Sequence, residues 1–388
     1  MKNILTLNAI SPVVNDIFDA SYNIAADAEN PVGILLRSFK MHDYPLSECT
    51  LAVARAGAGV NNIPVYDYAA KGVVVFNTPG ANANAVKELV IAALLLGSRR
   101  ISDSIKWVDG LKGKGDEIAK LVEKGKSEFA GKEILGKKLG VIGLGAIGAN
   151  VANAALSLGM DVYGYDPFLS VRSALQLSRA VNVVKSLDEI YKNCDYVTLH
   201  IPYIPAENKG FINAGVIRRM KDGAVLINLA RGELVDNADV VKATENGKLY
   251  RYVTDFPAEE LIGAKNVICT PHLGASTEEA EDNCAAMAAR ELIDYIENGN
   301  ISNSVNYPNC SMPRTGVCRL VVLHKNANNL LAQITAAVAS EGVNIANLTN
   351  QSRGDYAVTI IDADSLVSEN AVRKISEIKD VIRVRTII

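Results

Sequence analysis

The sequence is poor in the features that would suit a chain of 388 residues to disulfide, zinc or polyelectrolyte chemistry. Its six cysteines, Cys49, Cys194, Cys269, Cys284, Cys310 and Cys318, are scattered, with no CxxC pair and no histidine at zinc spacing. That pattern excludes a disulfide framework and a zinc centre, predicts no metal site, and reads as reduced thiols. No charge of one sign dominates: 40 lysines and arginines face 43 acids, for a formal net charge of -3, without a long single-sign block. Nucleic acid and membrane surfaces are therefore excluded as partners, and small molecules are expected. The amino-terminal stretch MKNILTLNAISP holds one lysine and a short apolar run, too short to span a bilayer and without a cleavage pattern. A cytoplasmic protein is expected.

The length predicts two or three domains of ~100 to 200 residues each. The most informative stretch is Lys138 to Pro167, centred on Gly143-Leu144-Gly145-Ala146-Ile147-Gly148. An apolar run, Leu139 to Ile142, leads in as a buried strand, and Ile147 to Leu158 follows at helical spacing. In such a strand-turn-helix unit Gly143 takes the turn, Gly145 leaves room for a pyrophosphate, Gly148 lets helix and strand approach, and the helix N-terminus faces the phosphates. A second strand, Asp161 to Tyr165, ends on Asp166, near the ~20-residue distance at which an acid meets the ribose hydroxyls and favours NAD.

Upstream, apolar runs at 3–9, 32–37, 51–56 and 73–77 form a small α/β unit of their own. Two of them end in arginine, Arg37 and Arg55, and the loop Gly57 to Gly59 adds backbone donors. Ligands of open α/β sheets sit beyond the strand carboxyl ends, so these arginines are placed to hold a phosphate; a surface salt bridge is the alternative. Residues 83–100 read as a buried helix, and 101–137 as a lysine-rich surface connection containing Trp107. Downstream, strands alternate with helices to 267–270, followed by a long helix over 279–298. Residues 301–316, polar with two prolines, read as a linker, and 317–388 read as βαββαβ, with a turn at Ser352-Arg353-Gly354.

Arg231 in NLARG, Asp255 in DFPAEE and His272 in TPHLG end the later strands. With GLGAIG they make an ordered set that resembles the D-isomer-specific 2-hydroxyacid dehydrogenases, in members carrying a carboxyl-terminal ACT domain. The resemblance implies a Rossmann-like NAD domain (93–282) inserted in a flavodoxin-like substrate domain (1–92 and 283–308), a linker (309–316) and a ferredoxin-like βαββαβ ACT regulatory domain (317–388). It implies an NAD-dependent oxidation of D-3-phosphoglycerate to 3-phosphooxypyruvate, opening phosphorylated L-serine biosynthesis. A hydroxypyruvate or glyoxylate reductase and a non-catalytic NAD(H)-sensing protein are the alternatives.

By the same resemblance Arg231 clamps the substrate carboxylate, His272 takes the hydroxyl proton, and Glu259 orients His272. The family usually has one more residue between the Asp and Phe of this segment, so Glu260 competes with Glu259. Gly143, Gly145, Ala146, Ile147, Gly148 and Asp166 face the cofactor, with Thr78, Asn82, His200, Pro202 and Ala230, while Asp255 meets the nicotinamide carboxamide. Arg37, Arg55, Gly57, Gly59 and Lys126 serve the substrate. His324, Asn326 and Asn344 match the pattern that holds serine between subunits, implying a homodimer or homotetramer with L-serine as effector. The usual Pro-Gly there is replaced by Asn328-Asn329, and a purely structural dimerisation module is the alternative.

Overall fold

The computed structural model describes residues 1–388 apart from the side chain of Arg172. The apolar runs of the first 81 residues become five parallel strands, β1 (Lys2–Leu7), β2 (Tyr22–Ala25), β3 (Gly33–Leu36), β4 (Ala52–Arg55) and β5 (Val74–Asn77), in the order β2-β1-β3-β4-β5. Helix α1 (Val65–Ala70) joins the last two. The inner strands are buried on both faces, which is why they read as unbroken apolar stretches. The edge strand β2 lacks that signature: only Tyr22 of its four residues is buried, and the sequence gives no strand there.

A second unit runs from Asn82 to Thr277. Helix α2 (Ala83–Ser98) lies so close to its sheet that a Cβ on Gly97 would stand 2.8 Å from Val225 Cγ1. The stretch expected to be a surface connection is instead largely helical, with α3 (Ile101–Asp109) and α4 (Ile118–Gly125). It has an aromatic centre of its own, Trp107 against Phe129 at 5.4 Å, which a composition rich in lysine obscures.

Next come β6 (Lys138–Ile142), α5 (Ala146–Ser157), β7 (Asp161–Tyr165), α6 (Val171–Gln176), β8 (Asn182–Val183), α7 (Leu187–Asn193), β9 (Tyr196–Leu199), α8 (Ala214–Arg219), β10 (Ala224–Asn228), α9 (Asn237–Glu245), β11 (Leu249–Thr254) and β12 (Val267–Cys269). The sheet order is β12-β11-β10-β9-β6-β7-β8, parallel throughout. Strand order reverses between β6 and β9, and the carboxyl edge at such a switch point is where doubly wound folds bind ligands.

The 21-residue helix α10 (Glu278–Asn298) opens the return to the first unit, which comprises Met1–Ala81 and Glu278–Ile388. The two compact units divide at 81/82 and 277/278. The expected linker is not one. Ile301, Tyr307, Cys310 and Met312 are buried, Ile301 bridges Cys310, and the Tyr307 hydroxyl donates to the Ala69 carbonyl at 2.7 Å. Its prolines and asparagines shape turns between apolar anchors, which composition alone does not separate from a free tether.

The tail forms β13 (Cys318–Lys325), α11 (Leu330–Ala339), β14 (Ile345–Arg353), β15 (Tyr356–Ala363), α12 (Glu369–Ser376) and β16 (Val381–Ile387). The order β14-β15-β13-β16, antiparallel, is ferredoxin-like. The expected turn at 352–354 shifts, because β14 continues through Arg353 before reversing at Gly354. Cys318, Leu320 and Val322 face the core containing Ile334 and Val338 of α11 and Ile375 of α12. Val321 and Leu323, with Val358 and Ile360, join the core of the first sheet and α10 instead.

Candidate active site

In the second unit the carboxyl edge gathers most of the expected site. Gly143 has φ +93, and a Cβ there would lie 2.4 Å from the His200 carbonyl oxygen, so the turn tolerates only glycine and sits against the exit of β9. At Gly148 a Cβ would lie 1.8 Å from the Gly143 carbonyl, which fixes the close start of α5. Gly145 caps that helix without a side-chain bond and opens on free space. The N–H groups of the first turn, at Ala146 and Ile147, have no side-chain cap, as an anion site requires. Asp166 holds the loop, accepting from Leu144 N and Phe168 N, each at 2.8 Å.

Arg231 follows β10. Fully buried Asn228, ending that strand, donates to the Arg231 carbonyl at 2.9 Å and accepts from Ala230 N at 3.2 Å, while Thr254 Oγ1 donates to the Asn228 carbonyl at 2.9 Å. The Arg231 guanidinium donates to the Ala230 carbonyl at 2.6 Å. Sequence reasoning did not single out Asn228 or Thr254; their only signal is a polar residue closing an apolar strand.

Asp255 is fully buried. Its Oδ2 accepts from Gly274 N at 3.1 Å and its Oδ1 has no partner. Burial raises its pKa, against the charge of His272 and the bonds to backbone N–H groups. The exposed His272 ring stacks on Phe256 at 4.6 Å, and Phe256 in turn abuts Gly232. Phe256, next to Asp255 in the chain, thus lies between the His272 ring and the backbone of Gly232, the residue after Arg231. Glu259 and Glu260 are exposed, and neither forms an ion pair with His272 among the described residues. The carboxylate in electrostatic reach of His272 is Asp255, at the strand end.

The other positions divide. His200 donates to or accepts from Thr198 Oγ1 at 3.0 Å, and burial lowers its pKa to about 4, so it is neutral near pH 7. Pro202 is exposed, its carbonyl accepting from Asn208, and Asn82 Oδ1 is buried without a partner. Lys126 is exposed and paired with Glu123, three residues away. No group of three or more His, Cys, Asp or Glu side chains is placed for a metal among the described residues.

The first unit holds Arg37, Arg55 and the Gly57–Gly59 loop. Arg37 pairs with Glu281 of α10 at 2.5 Å, and Arg55 Nε donates to the Arg37 carbonyl at 2.9 Å. A Cβ on Gly57 would lie 2.6 Å from Arg55 Nη1, so guanidinium and loop lie together. Thr78, expected on the cofactor side, is fully buried, and its hydroxyl accepts from Gly57 N at 2.8 Å. It supports the loop.

The regulatory set is not gathered in one chain. His324 is buried; its Nδ1 meets the Lys325 carbonyl at 2.7 Å and its Nε2 meets Thr359 Oγ1 at 2.8 Å, leaving no ring nitrogen for a ligand. Asn326 donates to the Gly354 carbonyl and Asn344 to Asp364. These lie at opposite ends of the β13–β15 pair, Asn326 beside Asp355 and Asn344 beside Asp364, roughly 30 Å apart at the usual rise per residue.

A doubly wound sheet with a glycine turn, an acid after the second strand and an Arg/His pair at one edge defines a dinucleotide-dependent dehydrogenase. The chain belongs to the D-isomer specific 2-hydroxyacid dehydrogenase family. Residues 91–274 match the NAD binding domain of that family. D-3-phosphoglycerate dehydrogenases of Haemophilus influenzae and Escherichia coli K12 are each 34% identical to it, over 349 and 353 residues, spanning 87% of this chain and 81% and 82% of theirs. The crystal structure of NAD+-bound 3-phosphoglycerate dehydrogenase from Entamoeba histolytica superposes with a TM-score of 0.62 at 25% identity, covering 79% of this chain and 98% of that one.

Proposed function

We propose that this protein oxidises D-3-phosphoglycerate to 3-phosphooxypyruvate with NAD, the reaction that opens phosphorylated L-serine biosynthesis. The observation that carries the reading is that Arg231, Asp255 and His272 follow strands of the same parallel sheet as the dinucleotide turn, with the His272 ring against Phe256 and in electrostatic reach of Asp255. Its support is a chain related over most of its length to D-3-phosphoglycerate dehydrogenases.

The residues present fit the cofactor: open space at Gly145, an uncapped helix start, Asp166, and the orphaned Asp255 Oδ1 as an acceptor for a carboxamide. When bound, NAD supplies the hydride acceptor for C2. Arg231 exchanges its bond to Ala230 for two parallel bonds to the substrate carboxylate and polarises the oxygen at C2. His272 takes the hydroxyl proton at an imidazole nitrogen. Glu259, on the segment following Phe256, is proposed to join His272 when substrate is bound. Arg37, Arg55 and the Gly57 loop are proposed to hold the phosphate.

Residues 93–282 are proposed as the NAD-binding part, 1–92 with 283–308 as the substrate-binding part, and 317–388 as an ACT-type regulatory part. A cytoplasmic homodimer or homotetramer is proposed, with L-serine as effector. The separation of Asn326 from Asn344 supports a site completed by a second copy. Absorbance at 340 nm with 3-phosphooxypyruvate, hydroxypyruvate and glyoxylate as oxidants of NADH tests the reading. A marked preference for the phosphorylated acid supports it; equal use of the others overturns the substrate, and no turnover with any overturns the activity.

A further inference from the structure

Helix α10 turns one polar face away from the sheet core, and that face is not closed. Between it and the turn at 300–303 lies a cavity of ≈ 280 Å³. Glu291 lines it, with the residue only 8% exposed; Oε1 accepts from Asn303 Nδ2 at 2.8 Å, and Oε2 is buried without a hydrogen-bond partner among the described residues. One helical turn on, Asp294 Oδ1 accepts from Asn298 and Asn300, at 2.9 and 3.0 Å. Arg290 and Ser302 are exposed at the rim of the same cavity, and Arg290 makes no ion pair among the described residues.

A buried acceptor without a donor is costly, and native structures keep few, each with a reason such as a functional role or a bound water or ion. The chemistry is two-ended: carboxylates in depth, a guanidinium at the rim, neutral amides and a hydroxyl between. A bare divalent cation would meet the repulsion of Arg290, and a simple anion would meet that of Asp294 and bring Glu291 no donor. We propose that this cavity is a binding site for a small zwitterionic α-amino acid, its ammonium on Glu291 and Asp294 and its carboxylate on Arg290. The site stands apart from the proposed reaction and from Asn326 and Asn344. An occupant would also reach Asn303, whose carbonyl accepts from Asn77 N at the end of β5.

Burial holds the Glu291 pKa at about 8, so the empty site carries a proton near pH 7 that an ammonium must expel. The charged groups beside it are Asp294 and Arg290, both on α10; the 300–303 turn contributes only neutral side chains.

Calorimetry on the full chain without substrate or cofactor tests this, with glycine as the smallest zwitterion and methylammonium, acetate and Mg²⁺ as single-ended probes. Glycine should bind, with release of about one proton at pH 7 read from buffers of different ionisation enthalpy. Methylammonium should bind at least ~10-fold more weakly, the expected loss for one charge-assisted contact. Glu291→Gln, isosteric with the protonated acid, and Arg290→Gln, at an exposed position, should each weaken glycine by ~10-fold or more, while Asn326→Ala and Asn344→Ala leave it unchanged. Absence of glycine binding overturns the proposal, as does tighter binding of methylammonium or Mg²⁺, or loss of binding in the Asn326 or Asn344 variants. Because turnover is not read, failure of the proposed reaction leaves this result intact.

Discussion

His200 and His272 each follow a strand of one parallel sheet, and in the sequence both have a proline within two residues; surroundings separate them. His200 is enclosed and neutral, whereas His272 is exposed on Phe256. Replacing His272 with alanine should lower kcat by ~10²–10⁴, the usual worth of a positioned acid–base group, while NADH binding read by fluorescence persists. His200→Gln should leave both limbs of the kcat/KM profile between pH 6 and 9 where they are. Because the folded pKa of His200 lies below its ordinary ~6.5, its contribution to stability is full above that value. That contribution is lost as pH falls from 6.5 towards 4. Arg37 gives a second contrast, since its partner Glu281 competes with any phosphate. Arg37→Ala should raise KM for the phosphorylated acid ~10-fold or more, whereas Glu281→Gln should lower it; a rise in the second variant would show that Glu281 positions Arg37. The glycine turn was legible because steric needs act residue by residue. The commitment of Thr78 to Gly57 and of His324 to Thr359 was not, since burial is set by distant packing.

Among elements, α10 and β13 show what periodicity can and cannot reveal. Both are evident as a long helix and an apolar strand, yet each carries a buried ionisable side chain, Glu291 and Arg319, that the apolar pattern does not flag. Arg319 and Asp362, on neighbouring strands and both fully buried, form a two-bonded pair at 2.6 and 2.9 Å, and Arg319 also donates to the Asn298 carbonyl at the end of α10. Burial pushes the Asp362 pKa up, but the bonds from Arg319 and Thr315 outweigh it and hold it below the ordinary value. Arg319→Met should cost ~3–5 kcal/mol, because it strands Asp362 as an uncompensated charge, and the double variant Arg319→Met/Asp362→Leu should recover most of that in a denaturation series. Glu291 has the opposite sign. Its folded pKa near 8 exceeds the unfolded 4.5, so its stabilising contribution is full below 4.5 and declines as pH rises to 8. Glu291→Gln removes that decline, and its stability relative to wild type should climb across this interval by more than ~1.4 kcal/mol, the equivalent of one pKa unit. A flat difference would mean Glu291 is ionised in the fold.

At the scale of the whole molecule, the chain leaves its first unit at Ala81, regains it at Glu278, and ends inside it. The parallel order of both sheets was legible from alternating strands and helices; the fate of the last 72 residues was not, because a βαββαβ module reads the same whether it hangs on a tether or is fastened down. Here it is fastened. Arg353 donates to the Ser304 and Val305 carbonyls, Arg383 to those of Thr50 and Glu48, and Arg385 to those of Tyr295 and Ile296. Beneath these arginines Val321, Leu323, Val358 and Ile360 are buried in the core that contains Ala285, Leu292, Ala52 and Val74. Four such side chains contribute at most roughly 6–12 kcal/mol when buried, comparable with the ~5–15 kcal/mol by which whole domains are stable. A chain ending at Gly316 should therefore lose cooperative folding of its first unit, seen as rapid proteolysis within residues 1–81 at a temperature where the full chain resists. The second unit buries its own core and has no part of that tail, so its fragment pattern should persist. Equal protease resistance of residues 1–81 in both chains would make the carboxyl-terminal sheet an appendage, and any effector bound there would then have no packed path to Arg37, Arg55 and the Gly57 loop.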